Sequence, residues 1–241
     1  MTDKKPEFSK SYRLANEILV SSHSLTDFPF SIKRIVQEKG NGNIVCKPFS
    51  KAALYGVGIT EFGSESATII AYCGKRIIFY NEQEKLERVR FSIGHELGHH
   101  LLGHALNLPL GEQYSRQEIE TNYFAAQLLM PEQILKEFQR RGAVINRQFL
   151  ITAFGVSKQA ADKRLETLAK TTYEWRSRAE KEFDDVILIK FASFINRICP
   201  QRQDYYDFEY EEEMRKKCKT NVMVGFKPER RGDSNGQVSM T

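Results

Sequence analysis

The stretch Phe91-Ser92-Ile93-Gly94-His95-Glu96-Leu97-Gly98-His99 permits few folds, because its polar residues work together only if the segment is helical. Residues four apart lie about one turn up the same helical face. His95 and His99 can then each aim an imidazole nitrogen at one ion, at the roughly 2.0–2.1 Å that zinc requires. Glu96 sits one step round from His95. It is displaced from the ligand direction but close to where a water activated by that ion would stand, which is where a general base is needed. Ile93, Leu97, Leu101 and Leu102, with Gly94 and Gly98, make the surroundings apolar or small. The helix is therefore expected to be largely buried, and buried polar groups without partners cost roughly 1–3 kcal/mol each. A metal would supply those partners, so His95 and His99 read as metal ligands and Glu96 as the catalytic base.

His100 and His104 are also four apart, but Leu101 stands where a base should follow. With the helix continued through both, they turn away from the first pair by about 100–140°. They read as supporting, packing or surface residues. His23, far upstream in a polar loop, is given no role. A catalytic zinc site usually takes three protein ligands and keeps one position open. The third is sought in Arg116–Pro131, a helix of about four turns that stops at Pro131. Its apolar stripe is Thr121, Phe124, Ala125, Leu128 and Leu129. Glu118 lies about 60° from the centre of that stripe and Glu120 about 100° away on the other side. Glu118 is therefore preferred to Glu120 as third ligand. Asn122, one turn beyond Glu118, is placed to hydrogen-bond a ligand histidine and fix its orientation.

Arg88-x-Arg90-Phe91-x-x-x-His95-Glu96-Leu97-Gly98-His99, followed by Glu118-x-x-x-Asn122-x-Phe124-Ala125-Ala126-x-Leu128-Leu129-Met130-Pro131, resembles the ImmA/IrrE family of metallopeptidases. The first block is common among proteases, whereas the second, in this place and order, is shared by few. By that resemblance His95, His99 and Glu118 match the zinc ligands and Glu96 the catalytic glutamate. Where the family usually has Ala before the Asn, this chain has Thr121, which adds one hydroxyl. The resemblance covers about residues 12–170. It implies an α+β fold: a mainly helical, zincin-like metallopeptidase domain with a small β-sheet, then a helix-turn-helix-like helical segment, and the chain continues past it as a C-terminal extension. It further implies Zn²⁺ as cofactor, with another divalent ion such as Mn²⁺ as the alternative. The implied substrate is a helix-turn-helix DNA-binding repressor, whose cleavage would switch on stress-response or mobile-element genes. The rival is a non-proteolytic regulator that binds a repressor or DNA and uses its metal structurally.

Along the chain, helices are expected over Tyr12–Leu19 and Ser31–Val36. A hairpin is expected from Ala67–Tyr72 and Arg76–Asn81 around Cys73-Gly74-Lys75. A free edge of that sheet could hold an extended substrate chain by backbone hydrogen bonds. The expected divisions are a metallopeptidase domain (8–142), the helix-turn-helix-like segment (143–181), an extension (182–227) and a disordered tail (228–241). Two short helices should meet at Gly155, with Ser157 capping the second. Residues 140–181 carry ten Lys/Arg against four Asp/Glu, which suits a DNA-reading helix from Ser157. Arg164-Leu165 and the apolar positions around them suit packing on the peptidase core better, and packing is the favoured reading. Asp184–Ile198 is apolar enough for one strand or helix. The acid-aromatic run Asp204–Glu213 suits a solvated helix face better than a dock for a basic partner. A formal charge of +5 permits acidic partners without demanding them. No run reaches the roughly 18–20 apolar residues of a membrane span. The N-terminus lacks a secretory apolar run, and four cysteines have no C-x-x-C pair, so a cytoplasmic protein with free thiols is expected.

Overall fold

Cys73 and Gly74 both take positive φ, 46° and 75°. Such a two-residue turn matches the twist of the strands it joins, and the expected hairpin forms: β2 (Ala67–Tyr72) pairs antiparallel with β3 (Lys75–Tyr80), Tyr72 opposite Lys75. A computed structural model describes residues 5–58, 60, 62, 64–105, 110–200 and 212. Its other elements are α1 (Phe8–Ser21), α2 (Ile32–Lys39), β1 (Ile44–Pro48), a 3-10 turn (Phe49–Tyr55), α3 (Leu86–Leu102), α4 (Glu112–Leu129), α5 (Glu132–Arg140), α6 (Arg147–Phe154), α7 (Lys158–Lys170), a second 3-10 turn (Tyr173–Trp175), α8 (Asp184–Lys190) and α9 (Ala192–Ile198). The fold is α+β, mainly helical with one small sheet of order β1-β3-β2. The sequence reading did not foresee β1, which lies parallel to β3 with Ile44 opposite Arg76. Only its first residue is fully buried, so it lacks the alternation that marks a half-buried strand.

The sheet serves two clusters. Ile44, Ile69 and Ile78 face the main core with α2 and α3, whereas Ile77 and Phe79 pack with Phe49. Helix α4 packs against both α1 and α3. A Cβ on Gly98 of α3 would lie 2.9 Å from Phe124 Cδ1 and 3.3 Å from Thr121 Cγ2 on α4. Only glycine allows the two helices this approach, and the third candidate ligand reaches the histidines across it.

The segment after α5 is bound into the same core. Asn146 caps α6 by accepting from the Phe149 amide, and Ser157 caps α7 by accepting from Ala160. Gly155, at φ 58°, joins them. Two buried arginines fasten the pair. Arg90 of α3 donates to the Phe154 and Gly155 carbonyls at 3.1 and 2.7 Å, and to Phe30 at 3.1 Å. Arg164 of α7 donates to the Met130 carbonyl at 3.1 and 2.8 Å and to Gln127 Oε1 at 2.6 Å. Asp184–Ile198 forms two helices that meet at Phe191 instead of one element. Phe191 and Phe194 there pack with Phe28, Phe138 and Phe154. The Asp204–Glu213 run, apart from Glu212, Cys218 and the 228–241 tail lie outside the described residues. Cys46, Cys73 and Cys199 are free thiols. No described helix is long and apolar enough to cross a membrane.

Glu38 closes the turn after α1. Its carboxylate accepts from Ser22 Oγ and Ser24 Oγ, both at 2.7 Å, and from the His23 and Ser24 amides at 2.8 and 3.1 Å. Burial pushes its pKa up, but these donors outweigh that and hold it at about 2. A carboxylate depressed in this way stabilises the fold above its unfolded pKa, about 4.3, and loses that contribution as pH falls through the folded value. Glu38→Gln is expected to cost about 1–2 kcal/mol at pH 7. In urea unfolding, the gap between wild type and variant should close between about pH 4.3 and about pH 2.

Candidate metal centre

Helix α3 carries His95, Glu96 and His99, and α4 carries Glu118. His95 Nε2 and His99 Nε2 face each other at 3.1 Å. Glu118 Oε2 lies 3.3 Å from the first, and Oε1 3.2 Å from the second. Bonds of about 2.0–2.1 Å around a tetrahedral ion place neighbouring ligand atoms roughly 3.3–3.4 Å apart, so the triangle has the dimensions of three such ligands. These three residues are a potential metal-holding group among the described residues.

The hydrogen-bond network decides where the protons lie. Asn122 Oδ1 stands 3.1 Å from His95 Nδ1, which must donate to it, leaving a lone pair on Nε2. On the other side Glu120 Oε2 is 2.9 Å from His104 Nε2, and His104 Nδ1 is 3.1 Å from His99 Nδ1. Burial pushes the His104 pKa down, against the pull of Glu120, so this ring is neutral. With Nε2–H given to Glu120, its Nδ1 can only accept. His99 therefore donates from Nδ1 and presents a lone pair at Nε2. Three electron-pair donors thus converge with no proton assigned between them, an arrangement that a cation completes. The Thr121 hydroxyl lies 3.4 and 3.5 Å from the two Nε2 atoms and donates back to the Gln117 carbonyl at 2.9 Å.

Glu96 is buried beside this triangle. Burial pushes its pKa up, although a hydrogen bond from the Ile69 amide of β2 pulls it down. A more basic carboxylate is a better proton acceptor near neutrality. Of the two tyrosines close to the motif in sequence, Tyr123 is committed elsewhere, accepting from Arg176 Nη2 at 2.7 Å. The charge of Glu118, then burial and the charge of Glu96, push the Tyr114 phenol up.

The structure brings His95, Glu96, His99 and Glu118 to one place, with Asn122 behind His95. His104 differs from the sequence geometry. Helix α3 ends at Gly103 in the left-handed region, φ 74°, which swings His104 back onto His99 instead of away along a continued helix. The glycine before it was the available signal. Glu120, weighed as a ligand, is the residue that orients His104. His100 makes no contact with this network, and its Nδ1 is buried without a partner among the described residues.

A family model described as the IrrE N-terminal-like domain, Peptidase M78, matches residues 44–166. No curated protein matches the chain.

Proposed function

The chain belongs to the ImmA/IrrE (M78) family of metallopeptidases, and from that premise we propose that it is a zinc-dependent endopeptidase that cleaves a helix-turn-helix DNA-binding repressor. The reading gives His95, His99 and Glu118 the role of zinc ligands and Glu96 that of catalytic base. When bound, the ion would polarise the scissile carbonyl and make a nearby water more acidic. Glu96 takes the proton of the attacking water and returns it to the departing amine. Asn122 and the His104–Glu120 pair hold the two imidazoles in the tautomers that leave Nε2 unprotonated. The edge of β2, which has no strand partner among the described residues and whose Ile69 amide bonds Glu96, would let an extended substrate add as a strand.

What supports this reading most is the convergence of three metal-ligating side chains, His95, His99 and Glu118, beside a buried carboxylate. The test uses purified protein, Zn²⁺ or Mn²⁺, and a helix-turn-helix repressor from the same organism, with fragments identified by mass spectrometry. Wild type should cut at one site and Glu96→Gln should not. A repressor left equally intact by both, while both still bind it, would overturn proteolysis. His104→Phe removes the acceptor for His99 Nδ1–H and is expected to weaken metal binding by about 10–100-fold. Competition with a chromogenic chelator reads that loss without needing a substrate.

A further inference from the structure

A groove of about 1520 Å³ runs between the first half of α3, the middle of α4 and one face of α7 along its length. Small-molecule pockets usually fill roughly 300–1,000 Å³, so this groove suits a stretch of polypeptide better than a metabolite. Phe91, Ile119, Tyr123, Ile151 and Val156 give it apolar walls, and Phe8 closes one rim. Phe8 and Ile119 are 44% and 45% exposed, so the groove accounts for two large apolar side chains that the core does not use. It adjoins the candidate metal centre directly. Asn122 lines its wall while holding His95 at 3.1 Å, and Phe91 lies one turn before His95 on α3.

Its charge is one-sided. Six Lys/Arg and two Glu line it. Arg88 is paired with Glu84, Lys163 with Glu166, and Arg176 with Glu132. Lys85, Lys158 and Lys170 have no ion pair among the described residues. Lys85 and Lys158 also stand where α3 and α7 begin, so the partial positive charge of two helix N-termini adds to theirs. We propose that this groove docks an acidic amphipathic segment of the substrate protein, holding it while an adjoining stretch enters the cleavage site. The inference rests on the peptidase reading and gives the substrate's chemistry: apolar side chains on one face, carboxylates on the flank. Nucleic acid fits the groove less well. Its walls are apolar, and Arg164, the cation at the centre of α7, is wholly buried against Met130.

Binding can be tested apart from cleavage, on full-length Glu96→Gln protein. The probes are a fluorescein-labelled amphipathic 15-residue Leu/Glu peptide, the same peptide with Lys for Glu, and a labelled 20-base-pair DNA duplex. The acidic peptide should bind, weakening as salt rises, and Lys85→Glu/Lys158→Glu/Lys170→Glu should reduce its affinity about tenfold or more. In otherwise wild-type protein, the same triple variant should raise KM for the repressor and leave kcat unchanged. Ile119→Cys carrying an environment-sensitive dye should shift to the blue when the acidic peptide binds, an independent check that the groove is the place. No binding of the acidic peptide, equal binding to the triple variant, or preference for the Lys peptide or the duplex would overturn the proposal. Repressor cleavage by wild type in the face of any of those results would sink docking alone. Peptide binding without repressor cleavage would sink the peptidase reading alone.

Discussion

Glu96→Gln is expected to lower kcat by about 10²–10⁴-fold, the usual worth of a positioned general base. At 1.36 kcal/mol per decade this is about 2.7–5.4 kcal/mol of transition-state stabilisation. The variant keeps the shape of the side chain and can still accept from the Ile69 amide. It does not touch the triangle of His95, His99 and Glu118. Metal content and repressor affinity should therefore stay at wild-type levels while turnover is lost. That combination separates a base from a structural residue, because a residue needed only for architecture would lose metal as well. Single-turnover kinetics with metal analysis of the same sample makes the distinction. A drop in kcat matched by an equal drop in bound metal would refute the assignment.

The largest effect on stability is expected at Arg164. Its guanidinium is completely buried and gives three hydrogen bonds, two to the Met130 carbonyl and one to Gln127. Gln127 in turn donates to Asn16 at 2.9 Å and to Gln133 at 3.0 Å, so one side chain ties α7 to α1, α4 and α5. Arg164→Ala opens a cavity and strands a carbonyl, and should cost about 3–5 kcal/mol. Arg164→Met fills the volume and removes the cost of burying a charge. It strands the same carbonyl, so it should cost about half as much. Urea unfolding should show lower midpoints with an unchanged slope. A DNA-reading Arg164 would behave oppositely, with intact stability and weakened DNA binding.

The local part of this fold could be read from residue order. His95, Glu96 and His99 lie four residues apart or fewer, and a helix fixes their relation without help from the rest of the chain. Glu118 follows from the face of a second helix, and Asn122 from one more turn of it. The hairpin announces itself through Cys73-Gly74 between two β-branched runs. What escaped depends on partners distant in sequence. Strand β1 exists because β3, thirty residues on, offers it an edge. The place of His104 depends on one residue leaving the helix at Gly103, which reverses the direction of the next side chain. The groove is built from parts of α1, α3, α4, α6 and α7, and no periodicity within any one of them marks it.

The amide of Glu7 donates to Glu120 Oε1 at 2.8 Å. Glu120 holds His104, His104 holds His99, and so the backbone just before the first helix stands three side chains away from the cleavage chemistry. Trimming the chain through Phe8 is therefore not a neutral shortening. It releases the outermost anchor of that series, and the earliest symptom would be slow leakage of metal during storage, long before any sign of unfolding.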